Sequence, residues 1–207
     1  TEKDIAEIEK KAVEAATDEA RGKDLQADVT GAYNDFWWDR GTRVAGSRRT
    51  SLIFDPKDGR IPALTPSAKK YAESDEAKKV QETRRGMHPA ASYTDTDLWD
   101  RCLTRGLPMM PGPYNNNFQI FQTKDHLVIL HEMIHDARVV PMTNRPHLPA
   151  NIRQLHGDPR GRWEGDTLVV ETTNYLNGFQ GSTNNVKLTE RYTRVSPDFV
   201  NWQITVD

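Results

Sequence analysis

The segment LVILHEMIHDARVVP, residues 127–141, places His131, Glu132 and His135 in the order HExxH. On a helix that spacing sets both imidazoles on one face, one turn apart. There they can share a tetrahedral zinc while the glutamate activates its bound water. A distant carboxylate such as Glu164 is available as a further ligand. Against the helix stand Val128, Ile129, Ile134, Val139 and Val140, β-branched residues whose stiff side chains suit a sheet. No glycine follows the second histidine and no third histidine lies at metzincin spacing.

Taken as one strand, the segment puts Leu127, Ile129, His131, Met133, His135, Ala137 and Val139 on one face. Val128, Leu130, Glu132, Ile134, Asp136, Arg138 and Val140 take the other. The first face is the more apolar, as a half-buried strand requires. Four residues at ~3.3 Å each hold the histidines ~13 Å apart, beyond the reach of one metal. The strand is the preferred reading and predicts no metal ligand and no cofactor. A zinc hydrolase using His131, Glu132 and His135 is the alternative.

On that strand His131 and His135 become candidate general acids or bases, since imidazole titrates near neutrality. Core histidines satisfied by hydrogen bonds are the equally weighted structural explanation. Glu132, Asp136 and Arg138 read as a solvated or cross-strand ion-pair set.

Two broken segments could complete a site. RCLTRGLPMMPGPYNNNF, residues 101–118, is too apolar for a linker and too rich in Pro and Gly for a helix. Such a loop packs across an opening or lines a pocket, and a well-packed structural crossover explains it equally without a ligand. It offers Tyr114 as a catalytic candidate beside the histidines, and Asn115 to Asn117 as polar contacts, with Met133 supplying an apolar wall. The second segment, residues 145–167, crowds His147, Arg153, His156, Asp158, Arg160 and Arg162 into one connection. Arginines beside histidines suit a carboxylate or phosphate, and Arg153 and Trp163 are the substrate-binding candidates there. A salt-bridged loop explains the same residues without a ligand.

These residues must be held by a mainly β fold with flanking helices, an α+β arrangement. The runs FQIFQT, HLVILHEMIHDARVV, DTLVVETTNY, KLTERYTRV and FVNWQITV are rich in β-branched and aromatic residues. Thr123-Lys124-Asp125, Glu164-Gly165-Asp166 and Ser196-Pro197-Asp198 separate them as hairpin punctuation. An antiparallel meander curled into a barrel or half-barrel follows. At the front, residues 1–20 hold Ile5, Ile8, Ala12 and Val13 at helical spacing, with a Glu7–Lys11 pair and an end near Gly22. A helical insertion spans residues 65–85, with Thr65 as cap and Pro66 in the first turn. AYNDFWWDRGTRV reads as strand and turn, and TSLIFDPKDG as a short strand and turn. The domains expected are an N-terminal helix, 1–22, and one β-rich domain, 23–207.

The 207 residues suffice for a buried core. With 28 basic and 30 acidic residues dispersed among one another, no basic stripe suggests a nucleic-acid partner. No apolar run approaches the ~20 residues of a membrane span. Cys102, the single cysteine, excludes an internal disulfide and any CxxC motif.

The strings RCLTRGLPMM, HEMIHDARVVP, PHLPANIRQ and GRWEGDTLVVETTNY resemble those of a family of uncharacterised, often exported bacterial proteins. The resemblance covers roughly residues 36–207 and rests on several long motifs in one order. It implies export to the periplasm or exterior; the start at Thr1 without Met fits either a removed signal peptide or a trimmed chain. It also implies a β fold, and names no reaction. Members of that family continue with further strand-like sequence beyond the stretch that matches.

The expected function is therefore binding of a small apolar or aromatic molecule, with cofactor-independent acid–base chemistry through His131 or His135 with Tyr114 or an arginine. Besides the zinc hydrolase, a further alternative is a non-enzymatic component of an exported assembly. Such a component would form oligomers or dock a partner through residues 1–20.

Overall fold

The structure, a computed structural model, describes residues 1–15, 26, 29, 38, 41–44, 48–49, 51–84, 89–179 and 182–207. The chain divides into two compact units, Thr1–Cys102 and Leu103–Asp207. The expected helix end near Gly22 and most of the aromatic stretch 32–44 lie outside the described residues.

In the first unit α1 spans Glu2–Ala15. Ile5 is its buried anchor, while Ile8 and Val13 of the same stripe stay exposed. The Glu7–Lys11 pair forms at 2.7 Å, and Glu9 accepts a hydrogen bond from the backbone N–H of Val44 at 2.9 Å. The 65–85 segment makes two helices instead of one: α2 (Pro66–Ala72) and α3 (Asp75–Arg84). Thr65 caps α2 as expected. Ser74 interrupts the run because its hydroxyl accepts the Ala77 N–H, restarting the helix with Asp75 and Glu76 in the favourable first turn. No strand forms over residues 51–54.

The second unit is all β, in two antiparallel sheets. One is β1 (Phe118–Gln122), β2 (His126–His131) and β3 (Ala137–Pro141). The other is β4 (Asp158–Glu164), β5 (Thr167–Thr173), β6 (Leu188–Ser196) and β7 (Phe199–Val206). All three expected turns are present between β1 and β2, β4 and β5, and β6 and β7. The join between the sheets is no meander turn, for Met142 meets Gly161 in a parallel bridge. Gly161 permits it, since a Cβ there would stand 2.5 Å from the Met142 sulfur.

One apolar core unites the two sheets. Leu127 and Ile129 of β2, Val140 of β3, Leu168 and Val170 of β5 and Tyr192 of β6 pack together, flanked by Met142 and Trp202. Burial alternates along β2 and β6, the signature of strands with one face inward. β1 and β7 each pair on one side only, and every residue of β1 is exposed.

Candidate functional site

The HExxH segment is neither the helix nor the continuous strand that its composition suggests. β2 ends at His131, a tight turn covers Glu132 to His135, and β3 returns from Ala137. The His131 N–H donates to the Asp136 carbonyl at 2.9 Å, closing the hairpin. Ile134 (φ 63°) and His135 (φ 56°) both occupy the left-handed region, a rare conformation for a β-branched residue. The face assignment inverts across the turn as a result. His131 stays inward on β2, but Arg138 and Val140 face the core on β3 while Val139 faces out. The expectation that Arg138 is solvated is therefore corrected. His135 is exposed on the turn. Without a helical turn the zinc geometry is not formed, and among the described residues no group of three His, Cys, Asp or Glu side chains could hold a metal.

The turn is explained by the 103–117 loop. Met133 is buried against Leu107 and Met109, with Tyr114 and Ile134 packed alongside. The Glu132 N–H donates to the Asn117 carbonyl, and the Asn117 amide donates to Glu132 Oε2, each at 2.9 Å. Asn115 supplies a left-handed residue to the loop, and Asn116 spans Gly112 through both its amide atoms. The structure thus brings Tyr114, Asn117 and Met133 to the hairpin. Arg153 has another task, clamping the carbonyls of Tyr175 and Asn184 and the Asn185 side chain. Trp163 stands half-exposed on β4.

Inside the unit lies a polar network that the sequence did not announce. Arg138, 2 % exposed, pairs at 2.5 Å with Glu190, 0 % exposed. Arg138 also donates to Thr172 Oγ1, and the Tyr192 hydroxyl donates to Glu190 Oε1, both at 2.6 Å. Burial is the largest influence on Arg138 and opposes its charge, but Glu190, Tyr192 and Tyr175 together outweigh it and raise the guanidinium's pKa. Tyr192 is pushed well above the ordinary phenol by burial and by the Glu190 charge, and burial lifts Tyr175 to about 12. Both phenols are therefore neutral donors at pH 7. Burial also lowers the pKa of His131, with Asp136 working against the shift, so its imidazole is neutral there. His131 Nδ1, Arg138 Nε, Glu190 Oε2 and Trp202 Nε1 are buried without a hydrogen-bond partner.

Asp136, at the foot of the hairpin, leads outward from this network. Thr104 donates its hydroxyl proton to Asp136 Oδ2 at 2.5 Å. The same hydroxyl oxygen accepts the Gly106 N–H at 3.0 Å and lies 3.0 Å from His156 Nε2. Because the only hydroxyl proton goes to Asp136, His156 Nε2 must be the donor, and the neutral ring keeps its basic lone pair on Nδ1. Asp136 Oδ2 lies 3.6 Å from the same imidazole. A second pair stands on the β3–β4 connection. Asp158, 3 % exposed, accepts from the Leu148 N–H and meets His147 Nδ1 at 3.1 Å, while Arg160 binds its other oxygen.

Compared with protein-family models, with curated proteins and with solved structures, the chain matches none.

Sequence reasoning set His147, Arg153, His156, Asp158, Arg160 and Arg162 in one connection; the structure joins His147 and Arg160 to Asp158, places Asp158–Glu164 on a strand and takes His156 to Thr104 and Asp136. Glu190 carried one legible signal. It sits between Leu188 and Tyr192 on the alternation of β6, a charge in an apolar phase.

Proposed function

We propose that this protein binds a small apolar or aromatic molecule in its β-rich unit and performs cofactor-independent acid–base chemistry on it. The observation that carries this reading is the single Asp136 carboxylate serving both Thr104 and His156. Thr104 fixes the His156 proton on Nε2, so Nδ1 is the atom that takes a proton from a substrate. Asp136 then faces the imidazolium that forms. His156 is partly exposed, as a group that meets substrate must be, and neutral His131 lies behind Asp136 as a second base. His135, out on the turn, has no part in this scheme.

The two sheets form a half-barrel in this reading. Its support is the approach of the free edges: the ring of Phe118 on β1 stands 6.4 Å from that of Trp202 on β7, edge to face. Export belongs to the proposal as well, on the strength of the sequence resemblance, and cell fractionation tests it.

The decisive experiment screens for the chemistry itself and works with any substrate that has an acidic C–H bond. Small aromatic and carbonyl compounds are incubated with the protein in D2O and followed by NMR for deuterium uptake at acidic C–H positions. A compound that exchanges with the wild type, not with His156→Gln or Asp136→Asn, and still with His135→Gln, supports the reading. Binders that leave the His156 ring resonances unmoved would sink it.

A second reading, a component of an exported assembly, draws on the exposure of Ile8 and Val13 beside buried Ile5 on α1. It expects oligomers in light scattering that dissociate on Ile8→Lys/Val13→Lys substitution. A monomer at all concentrations would end it.

A further inference from the structure

Two buried nitrogens without partners, His131 Nδ1 and Trp202 Nε1, belong to residues that flank one aromatic ring. Phe118 stands 5.9 Å from the His131 ring and 6.4 Å from the Trp202 ring. Trp202 in turn stacks on Tyr192 at 5.7 Å and 10°. A buried polar atom without a partner costs stability, and native interiors keep few of them. Here two lie around one side chain.

That side chain is also the least fixed part of the cluster. Phe118 opens an edge strand that is paired on one side only, and its side chain is 44 % exposed. Rotation of an exposed side chain is fast, so Phe118, on the edge strand, can turn away from the His131 and Trp202 rings it stands beside and leave a gap there.

We infer that this gap is a binding site for a neutral aromatic compound carrying a carbonyl or hydroxyl oxygen. The oxygen accepts the indole N–H of Trp202 and pairs with His131 Nδ1, and the ring lies against Phe118 and Trp202. Neutrality follows from the charges behind the site. Arg138 is already matched by Glu190 at 2.5 Å, so it is not left over for a ligand carboxylate, and an unmatched buried carboxylate is costly. Indole N–H is a donor only, and a neutral imidazole has one nitrogen of each kind. A phenol hydroxyl or a primary amide satisfies both, whereas a bare hydrocarbon satisfies neither.

This inference names the class of molecule for the small-molecule reading above and rests on it for the kind of occupant, but it requires no catalysis. The test uses the full chain labelled with 15N at its tryptophan indoles, with the Trp202 signal assigned through Trp202→Phe. Benzamide and phenol, each at about 1 mM, should shift the Trp202 indole resonance more than those of the other tryptophans. Benzoate and toluene should move it at least tenfold less at the same concentration. Trp202→Phe, which keeps the aromatic stack, should weaken benzamide binding about tenfold, whereas His135→Gln should leave it unchanged. A Trp202 indole that ignores all four compounds and exchanges rapidly with solvent means a buried water occupies the gap, and overturns the inference. So does equal response to benzoate and benzamide. Loss of deuterium exchange in Asp136→Asn with an unmoved Trp202 signal would leave the acid–base reading standing and remove this one alone.

Discussion

Separating Arg138 from Glu190 asks whether the polar interior exists for stability or for a ligand. With both side chains essentially sealed from solvent, Arg138→Met leaves a buried carboxylate held only by Tyr192, and Glu190→Leu leaves a buried guanidinium held only by Thr172. Breaking one side of such a pair costs about 3–5 kcal/mol. A domain has about 5–15 kcal/mol in total, so each single variant loses a large share. At about 4–8 °C per kcal/mol for a unit near 100 residues, the melting temperature falls by at least ~12 °C. The double variant removes both charges and puts apolar side chains into the interior beside Thr172 and Tyr192. Its stability should lie within about 2 kcal/mol of the wild type, or above it. The coupling energy, from urea titrations of all four proteins followed by near-UV circular dichroism, should therefore be at least about 4 kcal/mol. If the double variant is destabilised by the sum of the singles, the pair is not coupled and the reasoning fails. If it is stable but no longer binds aromatic amides, the charges are there for the site and not for the fold.

Three further outcomes can be measured. Burial holds the His131 pKa below its unfolded value of 6.5, so as pH falls below about 6.5 the unfolded chain takes up a proton that the native one refuses. Stability should then decline by up to about 1.4 kcal/mol per pH unit until the native pKa is reached. His131→Asn should flatten that window, and an unchanged profile would mean His131 does not carry it. His135 is exposed at φ 56°, so His135→Gly should be neutral or stabilising by up to about 1 kcal/mol in chemical denaturation; a loss of about 2 kcal/mol would show that its side chain has a structural partner. Gly161→Ala should cost about 1–3 kcal/mol, because its Cβ would meet Met142 and Val140 where the sheets join. A wild-type melting curve for that variant would refute the close packing of the join.

What the sequence alone determined are the features that local rules control. Alternation and turn residues gave β5, β6 and β7 with the three hairpin turns, Thr65 announced its cap, and Ile5 with Glu7 and Lys11 announced α1. The failures share one cause, which is contact between distant segments. Ile134 is β-branched and belongs by preference in a strand, yet it adopts a left-handed turn. Met133 beside it is buried against Leu107 and Met109, and Asn117 takes up both the backbone and the side chain of Glu132. That turn reverses the phase of β3 and sends Arg138 inward, where Glu190 from β6 makes its burial tolerable. Neither residue reveals this alone, since a lone charge reads as a surface residue until its partner is in place. The cluster around Asp136 is of the same kind. Thr104, Asp136 and His156 come from a loop, a hairpin and a connection, and only folding joins them in one run of hydrogen bonds.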